Sequence, residues 1–384
     1  MAMKWVAIAA GALVALCSSG LYAQGPSCLT FKEAVNIETG LFASGVVIED
    51  LDGDGEVDLA VTNQNSNNVS VLIGDGTGAF KNKTDFPAGG APQRIAAADL
   101  DGDGNLDLVL PITAADAVAI LFGDGRGQFA KPTLLPVVGG PFMAVVANFN
   151  ADTWLDVAVG TQTAGSRRVA VLFGNGSRTF RAPSYFGSFE NTPTALGVGD
   201  FNRDGTLDLA AGGGPNVPPD ANNLSILLGD GKGGFSTPTS LTVGTAPQSM
   251  SIADFNGDAF PDIAISNSLP MGTDSTVSVL FGDGKGGFSE RLPLEISILG
   301  RGTGVADFNS DGNLDLVVAN SASNTVSVLL GDGKGHFAAK ADFPVGKNPR
   351  KLAVGDLNRD GRADIVTPNT GSNNVSILIN NCTR

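Results

Sequence analysis

The stretch DLDGDGEVD, residues 50–58, places four aspartates and a glutamate in nine positions and runs directly into apolar residues. The pattern recurs at spacings of 49 to 54 residues, which indicates a solenoid or a propeller. The six further copies are DLDGDGNLD from Asp99, NFNADTWLD from Asn148, DFNRDGTLD from Asp200, DFNGDAFPD from Asp254, DFNSDGNLD from Asp307 and DLNRDGRAD from Asp356.

A second motif, which we call the glycine turn, recurs in step with these acidic loops. Its first copy is GDGTGAF, residues 74–80, and an Asp-Gly pair between two apolar runs indicates a hairpin turn. The other copies are GDGRGQF (123–129), GNGSRTF (174–180), GDGKGGF (229–235 and 282–288) and GDGKGHF (331–337).

Each repeat contains four short apolar runs that show no sustained helical period. Examples are RIAAAD (94–99) before an acidic loop, DLAVTN (58–63) after one, NVSVLIG (68–74), and the run from Phe80 to Phe86. Their content of Val, Ile, Ala and Phe favours strands. Seven units of four antiparallel strands predict an all-β fold, a seven-bladed β-propeller.

The two ends of the chain predict how the ring closes. The last repeat stops at NVSILINN (374–381) without a glycine turn, so it lacks a fourth strand. The chain from Phe31 aligns with the chain from Phe80, with 19 residues from the phenylalanine to the first aspartate in both. We therefore predict that the N-terminal strand completes the last blade and leaves no open edge.

The first 23 residues have the pattern of a secretory signal peptide, with Lys4, an apolar run and small residues up to Ala23. Leu16 before Cys17 argues against a lipoprotein. We expect residues 24–384 to form a single exported domain without a membrane span, secreted or held in the periplasm or at the cell surface. In an oxidising compartment, Cys28 and Cys382 favour one disulfide over two free thiols.

The charge of the mature chain limits its partners. Loss of Lys4 lowers the basic residues from 24 to 23 against 39 acidic residues, a net charge of −16. Such a chain repels nucleic acid and anionic membranes and attracts cations. We expect a monomer with no nucleic-acid partner.

The acidic loop has the donors of a calcium site. Side-chain oxygens at positions one, three, five and nine and a carbonyl at position seven suit Ca²⁺, which accepts six to eight oxygens. An EF-hand would need Glu at position twelve and flanking helices, but both flanks here indicate strands. Position twelve is Val61, Leu110, Val159, Ala211, Ile265, Val318 and Thr367.

These two motifs in fixed phase, from Phe31 to Asn381, resemble the FG-GAP or VCBS repeats of the integrin α-chain propeller and of many exported bacterial proteins. The resemblance implies about six structural calcium ions, and Glu56 would offer its carbonyl and point its side chain outward. The implied ligands are Asp50, Asp52, Asp54, Glu56, Asp58, Asp99, Asp101, Asp103, Asn105, Asp107, Asp200, Asn202, Asp204, Thr206, Asp208, Asp254, Asn256, Asp258, Phe260, Asp262, Asp307, Asn309, Asp311, Asn313, Asp315, Asp356, Asn358, Asp360, Arg362 and Asp364.

Two copies depart from the family pattern. The fifth has Ala259 where glycine is usual, and Ala at positive φ costs on the order of 1 kcal/mol. The third has Thr153 at that position and fewer carboxylates, so we predict a weak or empty site there. Its candidate ligands are Asn148, Asn150, Asp152 and Asp156.

Few residues of the mature chain offer catalytic chemistry. Its one histidine, His336, lies in a glycine turn and is expected to be exposed. Trp154, at position seven of the third loop, is either a tolerated substitution, which we favour, or an exposed stacking platform. A single histidine argues against triads and zinc sites, so we predict no enzyme activity.

The face opposite the acidic loops varies most between repeats. The segments 212–223 and 266–276 lengthen the connections between second and third strands, and 186–193 varies an inter-blade crossing. Variable loops on a rigid scaffold often bind ligands. The alternative is a set of unrelated solvated side chains. The basic residues of this face are Arg94, Arg167, Arg168, Arg301, Lys347, Arg350 and Lys351.

The sequence therefore predicts a secreted, calcium-binding propeller that acts as a binding or cell-adhesion-like module for an extracellular protein or polysaccharide. Two alternatives on the same scaffold are a polysaccharide-active enzyme, such as a lyase, and a lectin. The fold does not choose among them, because propellers serve many functions.

Overall fold

The computed structural model describes residues 28–163, 165, 167–189, 192–214, 223–268, 275–289 and 292–382. The predicted signal peptide, residues 1–23, lies outside this part of the chain. Within it, no helix is long and apolar enough to span a bilayer.

The described residues form strands joined by short turns, with two 3₁₀ turns at Gln64–Ser66 and Thr113–Ala115. The strands are β1 (Val35–Glu38), β2 (Ala43–Glu49), β3 (Asp58–Asn63), β4 (Asn68–Gly74), β5 (Phe80–Pro87), β6 (Ala96–Ala98), β7 (Asp107–Ile112), β8 (Ala117–Leu121), β9 (Thr133–Pro136), β10 (Pro141–Ala147), β11 (Asp156–Thr161), β12 (Val169–Leu172), β13 (Ser184–Phe186), β14 (Thr192–Gly199), β15 (Asp208–Gly214), β16 (Asn223–Leu227), β17 (Thr239–Thr242), β18 (Pro247–Ala253), β19 (Asp262–Asn267), β20 (Thr276–Leu280), β21 (Leu292–Glu295), β22 (Gly300–Ala306), β23 (Asp315–Asn320), β24 (Thr325–Leu329), β25 (Ala341–Pro344), β26 (Ala353–Gly355), β27 (Asp364–Asn369) and β28 (Asn374–Leu378).

These strands make seven four-stranded antiparallel sheets, so the predicted all-β, seven-bladed propeller is confirmed. Blade 1 is β2–β5, and blades 2 to 6 follow in groups of four up to β25. Blade 7 is β26–β28 with β1. Acidic loops 1 to 7 connect the first and second strands of the blades with the same numbers.

The first strands of the blades line the axis. In the order β2, β6, β10, β14, β18, β22 and β26, each contacts the next, and β26 contacts β2. The second strands are buried on both faces, as in β3, β7 and β11. The fourth strands form the exposed rim, where only alternate residues are covered, as in β21 and β25. Burial is therefore greatest in the second strands and least at the rim.

The hydrophobic core is divided among the blade interfaces. Seven apolar clusters occur in the described residues, and each lies between two adjacent blades. The cluster between blades 7 and 1 includes Leu59, Val61, Val366 and Ile377, all at most 1% exposed. The interface that closes the ring is therefore packed like the others.

The N-terminal strand completes blade 7, as predicted. β1 pairs with β28, and Ser376 Oγ donates to Asn36 Oδ1 at 2.6 Å. Ser70 Oγ makes the same 2.6 Å bond to the fourth strand of blade 1, at Asp85 Oδ1. Phe31 packs on Phe308 with ring centres 6.0 Å apart, as the glycine-turn phenylalanines pack on preceding blades. Phe31 thus substitutes for the missing glycine turn.

The predicted disulfide between Cys28 and Cys382 is present, with a Cα–Cα distance of 5.6 Å. Cys28 precedes β1, and Cys382 follows β28, its neighbour in the sheet. The bond therefore holds together the two chain ends that share the closing blade.

We expect the Cys28→Ser/Cys382→Ser variant to lose about 2–4 kcal/mol of unfolding free energy, because the crosslink restricts the unfolded chain. Urea unfolding of the variant and the oxidised wild type, both with excess calcium, measures the loss. Equal urea midpoints would show that β1 and its packing close the ring without help from the disulfide.

Candidate functional site

The ninth residue of every acidic loop is a buried aspartate that joins the loop to the third strand of its blade. Asp58 is fully buried, its Oδ2 accepts the N–H of Leu51 at 2.9 Å, and its Oδ1 accepts the N–H of Gly74 at 2.8 Å. The equivalent residues with the same pair of bonds are Asp107, Asp156, Asp208, Asp262, Asp315 and Asp364.

Burial makes the charged form of these aspartates costly. Desolvation is the largest cause, and it raises the pKa of Asp58 to about 6 and that of Asp107 to about 7. Carboxylates in the same loop raise these pKa values further, whereas the two backbone N–H groups lower them. A cation beside the carboxylate would offset this cost.

The first residue of the loop organises its backbone. Asp50 accepts N–H groups from Gly53 at 2.7 Å and from Gly55 at 2.9 Å, and Gly55 has a φ of 86°. Ala259 adopts the same left-handed conformation, with a φ of 67°, so loop 5 keeps the shared fold. The other first-position aspartates with this bond to residue six are Asp99, Asp200, Asp254, Asp307 and Asp356.

Loops 1 and 2 bring three carboxylates together. Oxygens of Asp50, Asp52 and Asp58 lie within 4.8 Å of one another, and Asp99, Asp101 and Asp107 repeat this cluster. An all-oxygen donor set suits a hard cation, so these clusters fit a metal ion. Asp54 and Asp103, at position five, lie outside the clusters.

Loops 4 to 7 carry asparagine at position three. In loop 4, Asn202 Oδ1 accepts the N–H of Asp204 at 3.0 Å, and Nδ2 donates to the Asp204 carboxylate at 2.8 Å. Asparagine thus keeps the turn and offers one neutral oxygen in place of a carboxylate. The equivalent residues are Asn256, Asn309 and Asn358.

Loop 3 differs from the other six, in agreement with its sequence. Asn148 Nδ2 donates to the carbonyl of Asp152, and Asn148 Oδ1 is buried without a hydrogen-bond partner. Thr153 does not adopt the positive φ of Gly55. Thr153 therefore lacks the hydrogen bond to residue one that the other loops have. With asparagine in place of aspartate at positions one and three, the oxygen donors of loop 3 fit a cation poorly.

Two of the side chains at position seven contact the loop of the preceding blade. The sequence predicted that the Glu56 side chain points outward, and this prediction is wrong. Glu56 Oε1 lies 2.6 Å from Arg359 Nη1 of loop 7. The ion pair is favourable because an unpaired acid at this position would lie among other carboxylates. Arg203 of loop 4 lies over the ring of Phe260 in loop 5 at 5.1 Å. In these two pairs, position four of one loop contacts position seven of the next and links the adjacent loops.

Trp154 belongs to the same set of contacts. A Cβ atom on Gly102 of loop 2 would lie 2.7 Å from its ring, and one on Gly176 of its own glycine turn 2.6 Å. The half-buried indole is packed between two glycines, so it is not an exposed stacking platform.

The sequence did not predict an ion pair between loop 2 and the glycine turn of blade 3. Arg178, in the glycine turn of blade 3, pairs with Asp101 at 2.5 Å and Asp103 at 3.3 Å and lies over the Phe122 ring at 4.8 Å. The available signal was an arginine where the other turns have glycine. Arg362 similarly pairs with Asp360 of its own loop at 2.5 Å.

The histidine and the tyrosine of the described chain each make a contact with a turn or a connection. His336 has 79% of its side chain exposed and lies 3.0 Å from Asp332, in the turn that the sequence predicted. Tyr185 accepts the N–H of Val138 at 3.0 Å.

The predicted basic face divides into two groups. Arg94, Arg301, Arg350 and Lys351 lie at or just before the start of innermost strands, at the end of the axis away from the acidic loops. In contrast, Arg168 and Lys347 are exposed and Arg167 is half-buried in other connections. Of the variable segments in this face, residues 190–191, 215–222 and 269–274 lie outside the described part of the chain.

A family model described as FG-GAP-like repeat matches residues 50–110, 148–211, 216–265 and 307–367. A solved chain titled Kuenenia stuttgartiensis Hydrazine Synthase is 15% identical, with a TM-score of 0.63, over 94% of this chain and 100% of that chain. The V. cholerae biofilm matrix protein Bap1 is 12% identical, with a TM-score of 0.51, over 92% and 91%. These identities show the fold alone. A search of curated proteins gives no match.

We expect Asp156→Ala to lower the unfolding free energy by about 2–4 kcal/mol, because two buried N–H groups lose their acceptor. Loop 3 fits a cation poorly, so the loss should persist in EDTA. Exposed Asp152 in the same loop is the control, and its Ala variant should lose less than about 1 kcal/mol. Urea unfolding measures both, and equal losses would refute the role of the buried carboxylate.

Proposed function

Because the chain belongs to the FG-GAP-like repeat family, we propose that it is an exported, calcium-binding propeller that acts as a non-catalytic binding or adhesion-like module. Its ligand would be an extracellular protein or polysaccharide. One observation carries this proposal: the aspartates of the repeat accept hydrogen bonds within their own acidic loops and blades. The face of the acidic loops thus has a structural role, which leaves the opposite face for recognition.

Calcium is the cation we propose for loops 1, 2, 4, 5, 6 and 7. The support is the shared backbone fold of these loops and the oxygen clusters of loops 1 and 2. The side chains at positions one, three and nine, which lie together in loops 1 and 2, would hold the ion, and the side chain of position five and the carbonyl of position seven would complete its shell. Its charge would compensate carboxylates that burial and mutual repulsion now disfavour.

A binding role agrees with the environment of the acids better than acid–base catalysis does. A catalytic carboxylate needs access to substrate, whereas the position-nine aspartates are fully buried and accept two N–H groups each. One protein with this fold is titled a biofilm matrix protein, so the architecture is compatible with work outside the cell.

The disulfide supports the proposed export. Cys28 and Cys382 are bonded, and disulfides persist mainly in oxidising compartments. The signal-like residues 1–23 agree with this assignment.

We expect calcium removal to destabilise the protein strongly at pH 7.5. A site at 100 times its Kd contributes about 2.7 kcal/mol, and six sites act together. The Tm in millimolar calcium, measured by calorimetry, should exceed the Tm in EDTA, with magnesium as the control cation. Identical Tm values in calcium and EDTA would contradict the proposed sites.

The same measurement at pH 5.5 should show a smaller calcium effect. The position-nine pKa values are raised to about 6 to 7, so these carboxyls are mostly protonated at pH 5.5 in the ion-free fold. Calcium must then displace a proton, which weakens its binding about tenfold per pH unit below the pKa. In EDTA, stability depends on pH in the opposite direction. The unfolding free energy of the ion-free protein falls as pH rises from 4 through 7, because the buried carboxyls lose their protons.

The binding role predicts retention of a specific extracellular partner by immobilised, calcium-loaded protein. The Arg350→Ala/Lys351→Ala variant should retain less, and the exposed pair Arg168→Ala/Lys347→Ala serves as the control. Bound material is identified by mass spectrometry and glycan analysis. New reducing ends or unsaturated uronates in polysaccharides incubated with the protein would favour a lyase instead.

A further inference from the structure

Four basic side chains occupy one layer at the axis. Arg94 and Lys351 stand five residues before their acidic loops, and Arg301 and Arg350 stand six before theirs. Equivalent positions in a propeller lie at the same height, and the first strands that follow them line the axis. The four residues therefore lie at the same end of the axis, on blades 2, 6 and 7.

Two hydrogen bonds place these side chains across the opening. Lys351 of blade 7 donates from Nζ to Ser249 Oγ of blade 5 at 2.7 Å, so its side chain passes beyond blade 6. Arg301 donates from Nη1 to Gln248 Oε1 at 3.2 Å. Ser249 and Gln248 stand at the same two positions before loop 5, which adds neutral polar groups to the layer.

Glycine allows the close approach of these segments. A Cβ on Gly302 of blade 6 would lie 2.6 Å from the carbonyl oxygen of Arg350. A Cβ on Gly45 of blade 1 would lie 3.2 Å from the Cα of Arg94. Both glycines occupy the layer that Arg94 and Lys351 share, so small residues in some blades make room for basic residues of others.

The positive charge of this layer has no partner in the described part of the chain. Arg94 is only 5% exposed, and its Nη1 is buried without a hydrogen-bond partner, as are the Nε atoms of Arg301 and Arg350. No described carboxylate lies within ion-pair distance of the four residues. Glu49, the acid that ends β2, lies at the other end of the axis, about 13 Å along the strand from Gly45.

Aromatic rings hold two of the guanidinium groups by their faces. Arg94 lies over Phe142 at 5.4 Å, and Arg350 lies over Phe42 at 5.1 Å. Stacking occupies the face of a guanidinium but leaves its N–H edge available for an acceptor.

The crowding of like charges is unfavourable without an anion. Desolvation, followed by repulsion from neighbouring arginines, lowers the pKa of Arg94 to about 9 and that of Arg350 to about 10. It also lowers the pKa of Lys351, with Arg94 contributing. Guanidinium stays protonated at neutral pH, so the layer retains at least three buried or half-buried positive charges.

We propose that Arg94, Arg301, Arg350 and Lys351 form an axial binding site for a tetrahedral oxyanion of the sulfate or phosphate type. Donors that approach from three blades match acceptors that point in several directions, whereas a planar carboxylate presents its oxygens in one plane. The anion is either a free ion or an ester group on a saccharide. This deepens the proposed binding role and rests on it for the biological source of the anion.

The test is calorimetric titration of calcium-loaded protein with sodium sulfate in chloride buffer at constant ionic strength. We expect one sulfate per chain and at least about tenfold weaker binding by Arg94→Met and by Arg301→Met. Arg168→Met and Lys347→Met, which remove exposed charges from the same face, should leave the Kd unchanged. No sulfate binding by the wild type, or equal weakening in the controls, would overturn the proposal.

A second readout separates loss of the site from loss of the fold. In sulfate-free buffer, Arg94→Met should have a Tm equal to or above that of the wild type, because it removes an uncompensated buried charge. The Tm increase caused by sulfate should be larger in the wild type than in this variant, which corrects for general salting effects. If Arg94→Met does not fold, Arg301→Met still decides the matter.

Three ligands identify the source of the anion. Binding of a 6-O-sulfated monosaccharide would support an ester on a saccharide, and binding of inorganic sulfate alone would support a free ion. Tighter binding of glucuronate than of either would overturn the tetrahedral preference. The calcium-dependent Tm does not involve these residues, so failure of the anion site and failure of the calcium sites are distinguishable.

Discussion

The buried carboxylate at position nine is the interaction on which every blade depends. Asp58 and its six equivalents connect the first-to-second loop with the end of the third strand, and so set three of the four strands of a blade relative to one another. Burial of a carboxylate is unfavourable, and two N–H groups compensate only part of the cost. The acidic loop therefore first joins the strands of its blade, and the buried charge that remains is the charge that a bound cation would compensate.

Contacts between successive loops extend this local order across several blade junctions. Arg359 of loop 7 pairs with Glu56 of loop 1, so these loop contacts also occur where the chain ends meet. The apolar cluster between blades 7 and 1, the strand β1 and the disulfide act at the same junction. Closure is therefore distributed over the loop face, the core and the rim, as a fold without free edges requires.

The sequence predicted the blades, their number and the closing strand because each depends on a comparison within one chain. Phe31 could be aligned with Phe80 without any knowledge of three-dimensional contacts. The sequence indicated Asp58 as a metal ligand only. Its second role, joining the acidic loop to the third strand, depends on two N–H partners that the sequence does not reveal. Arg178 was missed because its partner, Asp101, lies 77 residues away in another blade, and only the ring brings the two together.

The basic residues show where sequence information ends. Lys347 and Lys351 are four residues apart and look equivalent in the chain, yet one is exposed and the other contacts Ser249 two blades away. Features that repeat in all seven blades maintain the propeller, because each blade packs against its two neighbours in the same way. The axial arginines occur in only some blades, and no described carboxylate neutralises their charge. A feature that is unfavourable for folding and does not repeat around a symmetric fold is expected where ligand binding has been selected.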